Sequence, residues 1–163
     1  MTKNEIHQLF LSFRSRYRSS GRPVRVNFRK LVPELNGCDR FTHLIHAYPA
    51  KLLNIIPYFF FQTEDFCPNN GLVLDPFCGT GTVLLEANLS GRNALGADAN
   101  PLARLITAVK TTYIPHDRLL KEIDALVENA KKSKSKLTWK TEIIDYWFSQ
   151  NVISQLEKIR VAI

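Results

Sequence analysis

The chain has 163 residues, 45% of them apolar, and a net charge of +7, which is enough for one ordinary domain with its own core. Its longest apolar runs, Ile55 to Phe61 and Leu72 to Leu74, fall far short of the roughly 20 residues a membrane span needs, and no apolar stretch follows a basic start as in a secretory signal. Three cysteines, Cys38, Cys67 and Cys78, make no Cys-x-x-Cys pair, so no metal site is expected and a reducing, cytoplasmic setting fits.

The charge is concentrated at the start. Residues 1–30 carry eight basic side chains and one acid, whereas residues 31–163 carry fourteen of each sign. Six of the eight are arginines, with Phe10, Phe13, Tyr17 and Phe28 between them, a composition suited to phosphate contact with some aromatic packing. DNA is the expected partner of this segment, and a solvated basic helix is the plainer alternative. A helix beginning near Asn4 should break at Gly21-Arg22-Pro23. The expected division is a basic segment, 1–30, and a domain over 31–163.

His43 and His46 lack a third ligand at a zinc-like spacing and read as hydrogen-bonded structural histidines. Pro49 suits the first turn of a helix, whose Leu52, Leu53, Ile55, Ile56, Phe59 and Phe60 form an apolar face. Asn69-Asn70-Gly71 is turn chemistry at the end of a loop over residues 63–71. Leu72 to Leu74 then reads as a buried parallel strand. Asp75-Pro76-Phe77-Cys78-Gly79-Thr80-Gly81-Thr82 comes next, and Val83 to Leu89 resumes at helical spacing.

Strand, acid, glycine turn and helix in that order make a ligand site. Gly79 and Gly81 permit close approach to the main chain, and the helix start offers N–H donors. Cys78 reads as a small residue facing the packed side of the turn. A second short strand, Asn93 to Ala97, leads to Asp98, 17 positions after Gly81, near the spacing of about 20 at which a second-strand carboxylate accepts from a ribose. Asn100 caps a further helix with Pro101 at its first position. Position 84 is leucine, so the G-x-G-x-x-G dinucleotide spacing is missing.

Later helices are expected over about 116–131, with Leu119, Leu120, Ile123, Leu126 and Val127 on one face, and over 151–163. A basic connector, Lys131 to Lys136, lies between them, succeeded by an aromatic stretch around Tyr146, Trp147 and Phe148.

The Asp75-to-Thr82 segment resembles the cofactor motif of S-adenosylmethionine-dependent amino-methylating DNA methyltransferases, the cytosine-N4 and adenine-N6 group. Tyr48-Pro49-Ala50-Lys51 is similar to the element that precedes that motif and closes over the methionine end of the cofactor, with Tyr48 where histidine is more usual. The resemblance covers about residues 24–163 and implies an α/β, Rossmann-like methyltransferase fold with S-adenosyl-L-methionine as cofactor. The implied cofactor-binding residues are Lys51, toward the carboxylate, Asp75, Pro76, Phe77, Cys78, Gly79, Thr80, Gly81, Thr82, Asp98, Ala99 and Asn100. It favours cytosine N4 over adenine N6 through the Tyr48-to-Lys51 and Asp98-to-Arg104 segments.

The family's catalytic element, of the type Asp/Asn/Ser-Pro-Pro-Tyr/Phe/Trp, is expected to hold an extrahelical base. Pro-Pro occurs nowhere in the sequence, so no catalytic residue is assigned. With only two parallel strands in view, the fold reads as incomplete, its C-terminal catalytic half absent or supplied by another chain, and self-association or a catalytic-half partner is expected. The alternatives are a non-catalytic S-adenosylmethionine-binding module, or a methyltransferase acting on RNA or a small molecule.

Overall fold

A computed structural model of the chain describes residues 2–31, 41–47, 51–134 and 143–163. Tyr48, Pro49, Ala50 and Cys38, and the Ser135-Lys136 end of the connector, lie outside the described residues. The chain divides into two compact units, Met1–Thr112 and Tyr113–Ile163. No helix among the described residues is long and apolar enough to cross a membrane.

The first unit opens with α1 (Lys3–Ser20), started by a capping box. Thr2 and Glu5 exchange bonds, the Glu5 carboxylate accepting from the Thr2 N–H at 2.7 Å and the Thr2 hydroxyl from the Glu5 N–H at 3.3 Å, so two donors at the helix start are satisfied together. The helix ends at Gly21, where φ is +63° and the glycine N–H donates to the Tyr17 carbonyl at 2.8 Å. Ile6, Phe10 and Phe13 recur at helical spacing. Ile6 and Phe10 are buried with Phe59 in one cluster that Phe13, Phe28 and Leu31 flank, while Arg14, Arg16 and Arg18 stay on the exposed side. The basic segment is therefore anchored through its apolar face. A short α2 (Phe28–Leu31) follows.

After a 3-10 turn over Phe41–Leu44 comes α3 (Ile55–Phe61). Its buried residues are Ile55, Pro57, Phe59 and Phe61. Leu52 and Leu53 lie before the helix and are exposed, whereas the Phe60 ring is partly exposed and packs on Phe28, Phe59 and Phe66. The apolar face expected to include Leu52 and Leu53 is thus shortened, because the helix begins at Ile55.

The centre is β1 (Leu72–Asp75), α4 (Thr82–Leu89) and β2 (Asn93–Gly96), followed by α5 (Pro101–Thr111). The strands pair in parallel, with Leu72 opposite Asn93 and Asp75 opposite Gly96, and make a two-stranded sheet among the described residues. Crossover through α4 is what a parallel pair requires. Helix α4 packs on both strands and is flanked by α3 and α5.

Alternation puts Val73, Asp75, Ala94 and Gly96 on the α4 side. A Cβ on Gly96 would lie 2.7 Å from the Leu84 Cδ2 and 2.9 Å from the Cys78 Cβ. The opposite face carries Leu72, Leu74 and Leu95 at 61%, 69% and 57% exposure. The expectation of a buried first strand is corrected here: β1 is parallel, but covered on one face only. A buried arginine, Arg92, ties the entrance loop down by donating twice to the Cys67 carbonyl, at 2.6 and 3.1 Å, and stacks over Phe61.

The second unit contains α6 (His116–Lys132), α7 (Ile144–Trp147) and α8 (Gln150–Ala162), with α6 and α7 each packed on α8. Ile153 and Glu157 are its buried residues, and Arg160 closes the Glu157 charge at 2.6 Å. Leu119, Leu120, Ile123 and Val127 share the expected face of α6, yet each remains substantially exposed.

Because Gly96 faces Leu84 and Cys78 directly, Gly96→Ala should destabilise the first unit by about 1–3 kcal/mol through overpacking. Denaturant unfolding checks it, and a variant as stable as the parent would mean that α4 lies farther from the sheet.

Candidate cofactor-binding site

The turn from β1 into α4 is stitched to the residues after β2. The Ala97 N–H donates to the Asp75 carbonyl at 3.0 Å, and the Cys78 N–H returns a bond to the Ala97 carbonyl at 2.9 Å. Within the turn, the Phe77 N–H donates to the Asp75 carboxylate at 3.1 Å and the Gly81 N–H to the Cys78 carbonyl at 2.7 Å. Gly81 has φ +73°, and a Cβ there would sit 2.7 Å from the Thr107 Cγ2 on α5. Both the left-handed backbone and the approach of α5 require glycine at this position. The Thr107 hydroxyl in turn donates to the Gly79 carbonyl at 2.9 Å.

Asp98 holds the other side. One carboxylate oxygen accepts from the Gly79 N–H at 2.8 Å and the other from the Asn100 N–H at 2.8 Å, while Arg104 donates to the Asp98 carbonyl at 3.0 Å. These bonds, the Asn100 N–H first and the Gly79 N–H next, with Arg104 adding its charge, hold the carboxyl below its ordinary value of 3.8 because they favour the ionised form. Each oxygen has a second lone pair available to a ligand.

The N–H donors expected at the helix start are distinct from the turn's own N–H groups. Those of Phe77, Cys78, Gly79 and Gly81 are engaged internally, and the donors that helix geometry leaves without an intrahelical acceptor are those of the first turn of α4, from Thr82. Cys78 is buried, and that burial, followed by the nearby Asp75 and Asp98 charges, pushes its thiol above the ordinary value. It is a packed neutral thiol, as its small size in the motif suggests.

A cavity of about 450 Å³ opens beside the turn, lined in part by Lys51, Asp75, Phe77, Cys78, Gly79, Thr80 and Thr82. Seven of the expected residues therefore share one wall. Leu52, Leu74 and Val83 complete the lining. Pro76, Gly81, Asp98, Ala99 and Asn100 are outside it, although Asp98 is joined to the wall through Gly79 and Asn100 caps α5 by accepting from the Leu102 N–H at 3.0 Å. Lys51 donates to the His43 carbonyl at 3.0 Å. His43, expected to be structural, is fully buried with its Nε2 2.9 Å from Glu86, whereas His46 is exposed. No group of side chains suited to a metal ion occurs among the described residues.

Sequence reasoning did not single out Arg104, Thr107 or Glu86. Arg104 and Thr107 stand three apart on α5, hence on one helix face, and the cap at Asn100 fixes which face meets the glycine turn.

A family model described as DNA methylase, of the N6/N4 methyltransferase group, matches residues 63–110, from the entrance loop through α5. The type II methyltransferase M.MvaI of Kocuria varians is 31% identical over an alignment of 130 positions that covers 73% of this chain and 28% of that protein. The chain belongs to the amino-methylating DNA methyltransferase family. A second relative, the type II methyltransferase M.MjaII of Methanocaldococcus jannaschii, is 26% identical over an alignment of 131 positions that covers 64% of the chain and 24% of the relative. This methyltransferase-family chain thus spans about a quarter of the length of the two curated relatives. No solved structure matches it. Members of the family use S-adenosyl-L-methionine.

The turn's geometry sets two outcomes for this methyltransferase-family chain. Ionised Asp98 stabilises the turn at and above its ordinary pKa, and that contribution fades as pH falls through the lowered folded value. The melting-temperature gap between wild type and Asp98→Asn should stay constant from neutral pH to about pH 5 and shrink below about pH 4. Gly81→Ala should cost about 1–3 kcal/mol through its positive φ alone, and Thr107→Ala in the same chain should recover only the part due to crowding, as read from melting curves.

Proposed function

We propose that this chain is the S-adenosyl-L-methionine-binding part of a DNA methyltransferase that modifies an exocyclic amine, cytosine N4 in preference to adenine N6. The observation that carries the reading is the Asp98 carboxylate pinned to Gly79 beside a cavity whose wall also bears Lys51. The donor set fits the cofactor's three ends. Lys51 supplies a positive charge for the carboxylate of the methionine end, the glycine turn admits the middle without side chains, and Asp98 accepts ribose hydroxyls on its remaining lone pairs. Ala99 and Asn100 come directly after Asp98 and border the adenine. Pro76 and Phe77 shape the mouth of the turn. When bound, the cofactor supplies an electrophilic methyl group.

In this reading the proline-rich catalytic tetrad belongs to a complementary half, on the same or a second polypeptide. The absence of Pro-Pro from the sequence supports that, as does the leucine face of the two-stranded sheet, which a complete doubly wound sheet would cover. The preference for cytosine rests on the resemblance of residues 48–51 and 98–104. The exposed arginines of residues 1–30 contact DNA phosphates, residues 31–163 form the cofactor-binding part, and the protein works in the cytoplasm.

Calorimetric titration with S-adenosylmethionine tests the site. Wild type should bind, and Asp98→Ala should bind at least about tenfold more weakly through loss of a charged hydrogen-bond acceptor. No binding by wild type, or equal binding by the variant, overturns the assignment.

A further inference from the structure

We propose that the buried pair Glu86 and His43 is a positioning device for Lys51, and through Lys51 for the carboxylate end of the cofactor. The inference rests on the cofactor reading above and assigns a role to two residues outside the cavity wall.

Glu86 and His43 are 1% and 0% exposed, and their side chains meet at 2.9 Å across 43 positions of sequence. A carboxylate taken so far from water is costly unless it is paired and hydrogen-bonded. The pairing joins two parts of the site. Glu86 lies on α4, the helix whose first residues, Thr82 and Val83, border the cavity. His43 lies in the 3-10 turn upstream, and its backbone carbonyl accepts from the Lys51 Nζ at 3.0 Å. A carbonyl is a directional acceptor without net charge. It therefore fixes where the Lys51 ammonium sits.

The same turn has a second anchor, since the Thr42 hydroxyl donates to the Lys110 carbonyl on α5 at 2.8 Å. The Glu86 bond to the His43 ring adds a point of attachment from α4 to the one Thr42 makes with α5. Among the described residues the buried His43 Nδ1 has no hydrogen-bond partner, and the ring's polar contact is the Glu86 bond at Nε2.

The test compares two ligands on the 163-residue chain. S-adenosylmethionine carries the amino-acid end, whereas 5′-methylthioadenosine shares its nucleoside and lacks that end. Glu86→Gln should weaken S-adenosylmethionine binding about tenfold and leave 5′-methylthioadenosine binding unchanged, with both measured on folded protein below its melting transition. In a Lys51→Met background, Glu86→Gln should cause no further loss. Equal weakening of both ligands, or an additive loss in the double variant, would overturn the positioning role. If Glu86→Gln does not fold, Glu86→Asp, which keeps a carboxyl group but withdraws it from the ring, should show the same ligand-selective loss, and failure of both variants to fold makes the pair purely structural and overturns the proposal. Wild type that binds neither ligand overturns the cofactor reading itself. Wild type that binds both, with no selective loss in the variants, leaves that reading standing and removes only this one.

Discussion

The Asp98 carboxylate holds two chain segments through a single charged group. One oxygen takes the Gly79 N–H and the other the Asn100 N–H, so the turn after β1 and the start of α5 are fixed to the same group. A short parallel pair sets the distance between the two strand ends, but it does not set the conformation of the segments that leave them. The carboxylate supplies that constraint, and α5 then brings Thr107 against Gly81 from the far side. The glycine turn is clamped between a charge and a helix.

Such a clamp explains why so many of the turn's own N–H groups are used internally. A loop that had to rearrange on binding would pay the ordering cost at that moment. Here the bonds among Asp75, Phe77, Cys78, Ala97 and Asp98 are already made. A ligand meets a smooth wall of main chain, the first donors of α4 and an acceptor already ionised at neutral pH. Cys78 sits within this wall but contributes volume, its thiol kept neutral by burial and by neighbouring carboxylates.

The local parts of this arrangement are legible in the sequence, because they depend on neighbours. Gly21 stopping α1, Asn100 capping α5 and Asp75 preceding two glycines each follow from rules that act over a few residues. Pairing between distant residues is not legible. Nothing in the string ties Thr107 to Gly79 or Glu86 to His43, since both contacts depend on how helices are laid on the sheet. Burial of β1 departs from expectation for a related reason. Leu72-Val73-Leu74 is apolar at every position and suits a strand covered on both faces, whereas α4 covers only the side of Val73 and Asp75. The apolar face of α3 is shortened because Leu52 and Leu53 precede the helix, a boundary that apolar spacing alone does not set.

The β1–α4–β2 segment closes within residues 72–96 and carries its own crossover helix. The α1 contacts with Phe59, by contrast, join residues some fifty positions apart. Closing a short loop costs less chain entropy than closing a long one, and local contacts form sooner. The strand, helix and strand can therefore assemble as an early nucleus, onto which α5 docks by way of Asp98 while α1 arrives later. Asp98, two residues past the end of β2, then acts as the latch that turns a strand pair into a site.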